Sequence, residues 1–268
     1  MRIFITTMDE PYFLNPFIAK ILKERKNDII GLASSKGGRL TTRKKRLDIS
    51  YAITLFLIIG LKNSMKIGYT SFLLKIQKKL INKIHVKRPL SIIQIAQQLD
   101  IPTWEVDTVN DAEFLAILEK MKPDLIINQA QEIVKSGFIN IPPFGVLNRH
   151  SSLLPKNRGR LTPFWVLFRQ ETETGVSIHF VTEEIDRGDI ICQEKISVEK
   201  TDDFLTLTQK GYTIAADLML SAIKKIESGK FEVTTNDPAK GNYNTIPTLS
   251  EALTYKKNGI FNQVKRWI

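Results

Sequence analysis

An α/β fold with a doubly wound, mostly parallel sheet is predicted for this chain of 268 residues, and three features predict it. Short apolar segments alternate with helix-period segments, the pattern of strand-helix-strand units. Pro123-Asp124 introduces Leu125-Ile126-Ile127, a continuous apolar run of the kind buried on both faces of a parallel sheet. A later strand, Gly145 to Asn148, ends among polar residues, and open α/β sheets place their ligands beyond such carboxyl ends.

The apolar run Arg2 to Thr7 predicts the first strand, Tyr12 to Arg25 a helix, and Asp28 to Ser34 a second strand. Helical patterning returns at Ser91 to Asp100, where Ile92, Ile93, Ile95 and Leu99 share part of one face. A short strand at Thr103 to Val106 and a helix over Asp111 to Lys120 lead to the Pro123 strand. Thr162-Pro163 supplies an N-cap and a first-turn proline for a helix through Phe168. From Gly175 to Val181, Val176, Ile178 and Phe180 alternate with Ser177 and His179, then the chain turns through Glu183 to Gly188 and returns as a strand from Asp189 to Val198. On that polar face His179 reads as structural, close enough to the loop to reach a ligand. Thr201 is expected to cap a long helix from Asp202 to about Ser228, whose Tyr212, Ala216, Met219, Ile223 and Ile226 fall at core-facing spacings. Past Gly229 the pattern breaks at Gly241-Asn242-Tyr243 and Ile246-Pro247-Thr248. The expected organisation is one domain over residues 1–230, carrying a helical insertion at about 37–89, and a C-terminal extension over 231–268.

Composition narrows the function. One cysteine, Cys192, excludes an intrachain disulfide and suggests a reducing compartment. The three histidines, His85, His150 and His179, are too scattered for a zinc cluster, so no metal is expected. The first apolar run is too short for a signal peptide, and a cytoplasmic protein is expected. The net charge of +11 is local: Lys36 to Arg88 holds fourteen Lys and Arg against one acid, Asp48, a balance of +13 that leaves −2 for the rest.

Asn148-Arg149-His150 is followed by Ser152-Leu153-Leu154-Pro155, by Arg158-Gly159, and then by Asp186 within Thr182-Glu183-Glu184-Ile185-Asp186-Arg187-Gly188. An amide donor, an imidazole and a carboxylate are the groups needed to move an acyl group onto an amine. Asn148 and a protonated His150 are suited to stabilise charge on a carbonyl oxygen. Asp186 is suited to orient His150 and to take protons from an incoming amine. With no Ser or Cys paired to an adjacent base, direct transfer is expected rather than a covalent acyl-enzyme. Taken singly, each residue has a plain structural explanation, a satisfied histidine or a turn-forming aspartate.

Together with the 36-residue separation of His150 from Asp186, these boxes resemble the formyltransferases that use 10-formyltetrahydrofolate. That family includes glycinamide ribonucleotide, methionyl-tRNA and sugar N-formyltransferases. The resemblance is clear from about Pro123 to Val198 and weaker over Met1 to Ser35. It implies that Asn148, His150 and Asp186 are the catalytic triad. It further implies that the folate lies between Gln131-Glu132-Ile133-Val134 and the loop Thr182-Glu183-Glu184-Ile185, held mostly by backbone groups. Ser152, Arg158 and Gly159 are expected near the substrate, Arg158 either positioning the loop or an anionic group or standing as a surface arginine. Arg149 departs from the small or apolar residue common in relatives, and Asn157 from an aromatic.

The acceptor is expected to be a small primary amine, first a nucleotide-linked amino sugar, on account of the Arg160 to Trp165 region. Methionyl-tRNA formyltransferases normally carry a β-barrel after the catalytic domain, and the short tail here weighs against tRNA. Glycinamide ribonucleotide enzymes are more compact, without such an insertion. Within the insertion, the apolar run Tyr51 to Leu61 is too short to span a bilayer, which needs about twenty residues. Five readings of the insertion stay open: packing on its own domain, which ranks first, a cap over the acceptor, a homodimer interface, an anionic membrane surface, or nucleic-acid phosphates, tRNA among them, at Arg43-Lys44-Lys45-Arg46. Against a membrane-associated binding protein that keeps the fold without catalysis stands the intact triad.

Overall fold

A computed structural model of the chain describes residues 1–36, 49–81 and 91–264. The cluster Arg43-Lys44-Lys45-Arg46 and His85 lie outside the described residues.

β1 (Ile3–Thr7), α1 (Leu14–Glu24) and β2 (Ile29–Ser35) open the chain. Glu10 starts α1: its carboxylate accepts from the backbone N–H groups of Tyr12, Phe13 and Leu14 at 2.7, 2.9 and 2.8 Å, which suits the positive end of the helix. The insertion forms α2 (Ile49–Ile59) and α3 (Leu61–Ile81). Next come α4 (Ile92–Gln97), begun by a Ser91/Gln94 capping box, and β3 (Thr103–Val106). Asp111 caps α5 (Ala112–Met121), and β4 (Leu125–Gln129), the single turn α6 (Ser136–Ile139) and β5 (Val146–His150) follow.

β6 (Arg158–Gly159) precedes α7 (Thr162–Phe168), which begins differently from expectation. Leu161, in the left-handed region at φ 51°, holds the cap position, while the Thr162 hydroxyl donates to the Ser151 carbonyl at 2.9 Å. β7 (Glu173–Phe180) and β8 (Ile190–Ser197) form a hairpin. α8 (Phe204–Glu227) is capped by Asp203 with Thr206, not by Thr201, because only Asp203 reaches the Thr206 N–H. β9 (Tyr243–Asn244) and α9 (Leu249–Val264) complete the described elements.

The strands order as β3-β2-β1-β4-β5-β7-β8, parallel from β3 through β5 and antiparallel from β5 onward. The chain leaves β1 toward β2 on one side and β4 on the other, so the strand order reverses between β1 and β4. Alternation buries both faces. Ile3, Ile5, Ile127, Leu147 and Ile178 meet α1 and α8 on one side. On the other, Phe4, Ile126 and Val146 meet Phe114 of α5 and Phe138 of α6. A third cluster joins Ile58 of α2 to Phe164 and Trp165 of α7 and Ala252 of α9, seating the start of the insertion on the body of the fold.

The residues after Gly229 return to the same body. Thr234 bridges Ile190, β9 runs parallel to β6, and Trp165 Nε1 donates to the Thr245 carbonyl at 3.0 Å. Gly159 permits the β6–β9 approach: its φ is +95°, and a Cβ there would lie 2.1 Å from the Asn244 carbonyl oxygen. Among the described residues, no helix is long and apolar enough to cross a membrane, and no group of His, Cys, Asp and Glu is placed to hold a metal ion.

Candidate active site

A cavity of about 1160 Å³ opens at the carboxyl ends of β4 and β5. Its lining includes Asn128 and Gln129 from β4, Asn148, Arg149 and His150 from β5, and Gly159, His179 and Asp186. Parity sets their directions: Asn148 and His150 share one face of β5 and Arg149 takes the other.

Antiparallel pairing of β7 with β5 sets His179 directly across from Asn148 and Ser177 across from His150. Gln129 Nε2 donates to Asn148 Oδ1 at 2.6 Å, and Asn148 Nδ2 lies 3.3 Å from His179 Nε2. His179 Nδ1 donates to the Phe180 carbonyl at 2.7 Å, which leaves Nε2 bare to accept from Asn148. Burial lowers the His179 pKa to about 4; Asp186 opposes that shift, and His150 adds to it. The imidazole is therefore neutral near pH 7 and orients the carboxamide. The second N–H of Asn148 has no protein partner among the described residues.

His150 is nearly buried, and its Nε2 donates to the Asn157 carbonyl at 2.8 Å. Its other nitrogen, Nδ1, faces Asp186 Oδ2 at 3.4 Å, while Asp186 Oδ1 lies 3.7 Å from His179 Nε2. The same Oδ2 accepts the Gly159 N–H at 2.8 Å, and Asn236 Nδ2 holds the Asp186 carbonyl at 2.8 Å. Asp186 itself is left-handed, with φ 52°. A carboxylate gripped from both sides faces two imidazoles, an arrangement able to take up and return a proton at Nδ1 of His150.

Two loops wall one part of the cavity. Ile133 and Val134 come from one, and Val181, Thr182, Glu183, Glu184 and Ile185 from the other. Ile133 is 66 % and Ile185 44 % exposed, apolar side chains left open to the cleft. Glu183 ties the loops by accepting the Ser136 N–H at 3.0 Å. Another part of the lining comes from Tyr51 and Thr54 of α2, Arg160 and Thr162, and Phe204, Thr208 and Tyr212 of α8.

The predicted residues divide by side-chain direction. Asn148, His150 and Asp186 meet at the cavity, with Gly159 beside them. Gln131 lines it from a left-handed position at φ 53°. Glu132 lines it too, but its carboxylate is engaged by the Ser35 hydroxyl at 2.6 Å, the Thr108 hydroxyl and the Val109 N–H at 3.2 Å, which anchors the loop. Ser152 is turned inward: its hydroxyl donates to the Lys156 carbonyl at 2.7 Å, and Ser151 lines the cavity instead. Arg158 is buried, its Nε without a hydrogen-bond partner, and stands outside the lining. Gln129 left no sequence signal, since a polar residue closing an apolar strand is ordinary. His179 left one, its place on the polar face of β7.

A model of the formyl transferase family matches residues 1–223. The chain is 32 % identical over 183 residues to methionyl-tRNA formyltransferase of Kosmotoga olearia, covering 67 % of this chain and 59 % of that protein. It thus spans less than two thirds of that relative's length. Among solved structures, glycinamide ribonucleotide transformylase 1 of Symbiobacterium toebii superposes with a TM-score of 0.59 at 17 % identity, covering 88 % of this chain and 94 % of that one. A sugar N-formyltransferase from Shewanella sp FDAARGOS_354 gives 0.58 at 17 % identity, covering 92 % and 77 %. At such identities the likeness is one of fold.

Proposed function

The chain belongs to the formyl transferase family, and on that premise we propose that it is an N-formyltransferase moving a formyl group from 10-formyltetrahydrofolate to a primary amine. Residues 1–230 with the 37–89 insertion form the catalytic domain in this reading, and 231–268 extends it. The observation that carries it is the meeting of Asn148, His150 and Asp186 in one cleft.

A folate fits the loop-walled part of the cavity. Exposed Ile133 and Ile185 offer apolar faces to a flat ring, and the backbone of Gln131 to Val134 and Thr182 to Ile185 offers polar groups to its edges. The donor supplies the formyl carbon and departs as tetrahydrofolate. Asn148 directs its free N–H at the carbonyl oxygen, where negative charge develops, with Gln129 and His179 holding the carboxamide still. The amine nitrogen bonds to the formyl carbon as that carbon's bond to the folate nitrogen breaks, and His150 and Asp186 take the amine's proton at the Nδ1–Oδ2 pair and deliver it to the departing nitrogen. Cys192 is unsuited to act as a nucleophile, because burial pushes its thiol up to about 11.

The acceptor we assign is a nucleotide-linked amino sugar or another small amine. The support is α2: Tyr51 and Thr54 line the same cavity as the folate loops, and its volume of about 1160 Å³ is of small-molecule size. A second reading, an aminoacyl-tRNA acceptor, is favoured by the sequence identity to the methionyl-tRNA enzyme. The test incubates the full chain with the formyl donor and a panel of nucleotide amino sugars, amino acids and charged initiator tRNA, then weighs products for one added formyl group. Formylation of an amino sugar supports the first reading, and formylation of tRNA alone replaces it with the second. Donor consumption with no formylated amine would sink both in favour of a hydrolase.

A further inference from the structure

Arg149 sits between two residues of the proposed triad and has no task in the formyl transfer itself. It lines the cavity, yet is only 8 % exposed. Its guanidinium lies 4.0 Å above the ring centroid of Tyr212, which is itself stacked on Phe13. Its hydrogen-bond partners are all neutral: the Ser151 hydroxyl at 2.6 Å, the Tyr212 hydroxyl at 2.8 Å and the Gln129 side-chain carbonyl at 3.4 Å. No carboxylate pairs with it among the described residues. A buried cation held only by neutral groups is far from the usual arrangement, in which a counter-charge offsets desolvation. Three partners also leave two of its five N–H groups over, one on each terminal nitrogen.

The surroundings point to what completes it. A nearby anion site, the N-terminus of α1, is already filled by the Glu10 carboxylate. Arg160 also lines the cavity and lies close enough to Tyr51 to counter the burial that raises its hydroxyl pKa, so a second guanidinium faces the α2 wall. We propose that Arg149 anchors an oxyanion subsite in this cavity, taking a phosphate or carboxylate carried by the acceptor, with Arg160 at its mouth. A planar guanidinium suits such groups because its N–H fork matches their oxygens. The proposal rests on the formyl-transfer reading only for which part of the cavity receives the acceptor.

The test is calorimetric titration of the full-length protein with pyrophosphate at physiological ionic strength. Saturable binding at one site is expected in the wild type, weakened at least tenfold in Arg149→Met and unchanged in Lys62→Met, which removes an exposed charge of the basic insertion. Absence of saturable binding in the wild type, equal binding by folded Arg149→Met, or equal weakening in both variants overturns the proposal. Should Arg149→Met fail to fold, Arg149→Lys decides, since it keeps the charge and loses the fork: several-fold weaker binding supports the subsite, and unaltered binding overturns it. In the formylation assay, a raised KM for the acceptor with the donor KM unchanged assigns the oxyanion to the acceptor. A raised KM confined to polyglutamylated donor overturns that assignment in favour of the folate tail. If no amine is formylated the functional reading fails, while the pyrophosphate titration still decides the subsite.

Discussion

Acidifying this protein is expected to weaken it through His179 more than through any ordinary surface histidine. Its pKa falls from 6.5 to about 4 in the folded state, chiefly because burial penalises the imidazolium. Between those values the unfolded chain binds a proton that the folded chain refuses, so stability rises with pH across the window and is fully present above 6.5. At about 1.4 kcal/mol for each tenfold step in proton affinity, that difference corresponds to roughly 3 kcal/mol lost by the lower edge of the window. Urea unfolding of wild type and His179→Gln, measured above pH 6.5 and at intervals down to about 4, isolates the effect, since all other titrating groups are shared. The wild-type curve should fall more steeply by that amount. Asp186→Asn should steepen it further, because the Asp186 charge is what partly supports protonation of His179. Parallel pH curves for wild type and His179→Gln would refute the claim that this imidazole is buried neutral beside Asn148.

Three further outcomes follow from the geometry. Asn148→Ala should lower kcat by about a hundred to a thousandfold, as for loss of one oxyanion donor, and cost about 1–3 kcal/mol of stability by leaving Gln129 and His179 without their partner; near-normal turnover would remove Asn148 from the chemistry. Gly159→Ala forces a side chain into a positive-φ position against the Asn244 carbonyl, which should cost about 1–3 kcal/mol in unfolding experiments. Turnover should fall as well, because the Gly159 N–H holds Asp186. Phe114→Ala empties a buried site packed against Phe4 and should destabilise by about 3–5 kcal/mol with KM unchanged in the protein that remains folded.

Local chemistry in the sequence is enough for much of this molecule. Uninterrupted apolar runs specify strands buried on two faces, and two-residue parity alone sends Asn148 and His150 one way from β5 and Arg149 the other. Helix positions are legible because apolar spacing is a periodic signal. Their first residues are less so, because a cap is decided by which oxygen reaches a particular N–H, and Asp203 reaches where Thr201 does not.

Tertiary structure decides what periodicity cannot encode. Glu132 and Ser152 carry side chains suited to a site, yet loop closure turns both toward backbone and hydroxyl partners. His179 meets Asn148 only because β7 runs antiparallel beside β5 in one register. Tyr51 and Thr54 become part of a cavity wall only because α2 packs on α7 and α9. Ser152 is turned by a carbonyl only four residues on; the others depend on contacts between segments tens of residues or more apart, and a side chain's polarity says nothing about which distant group will be waiting for it.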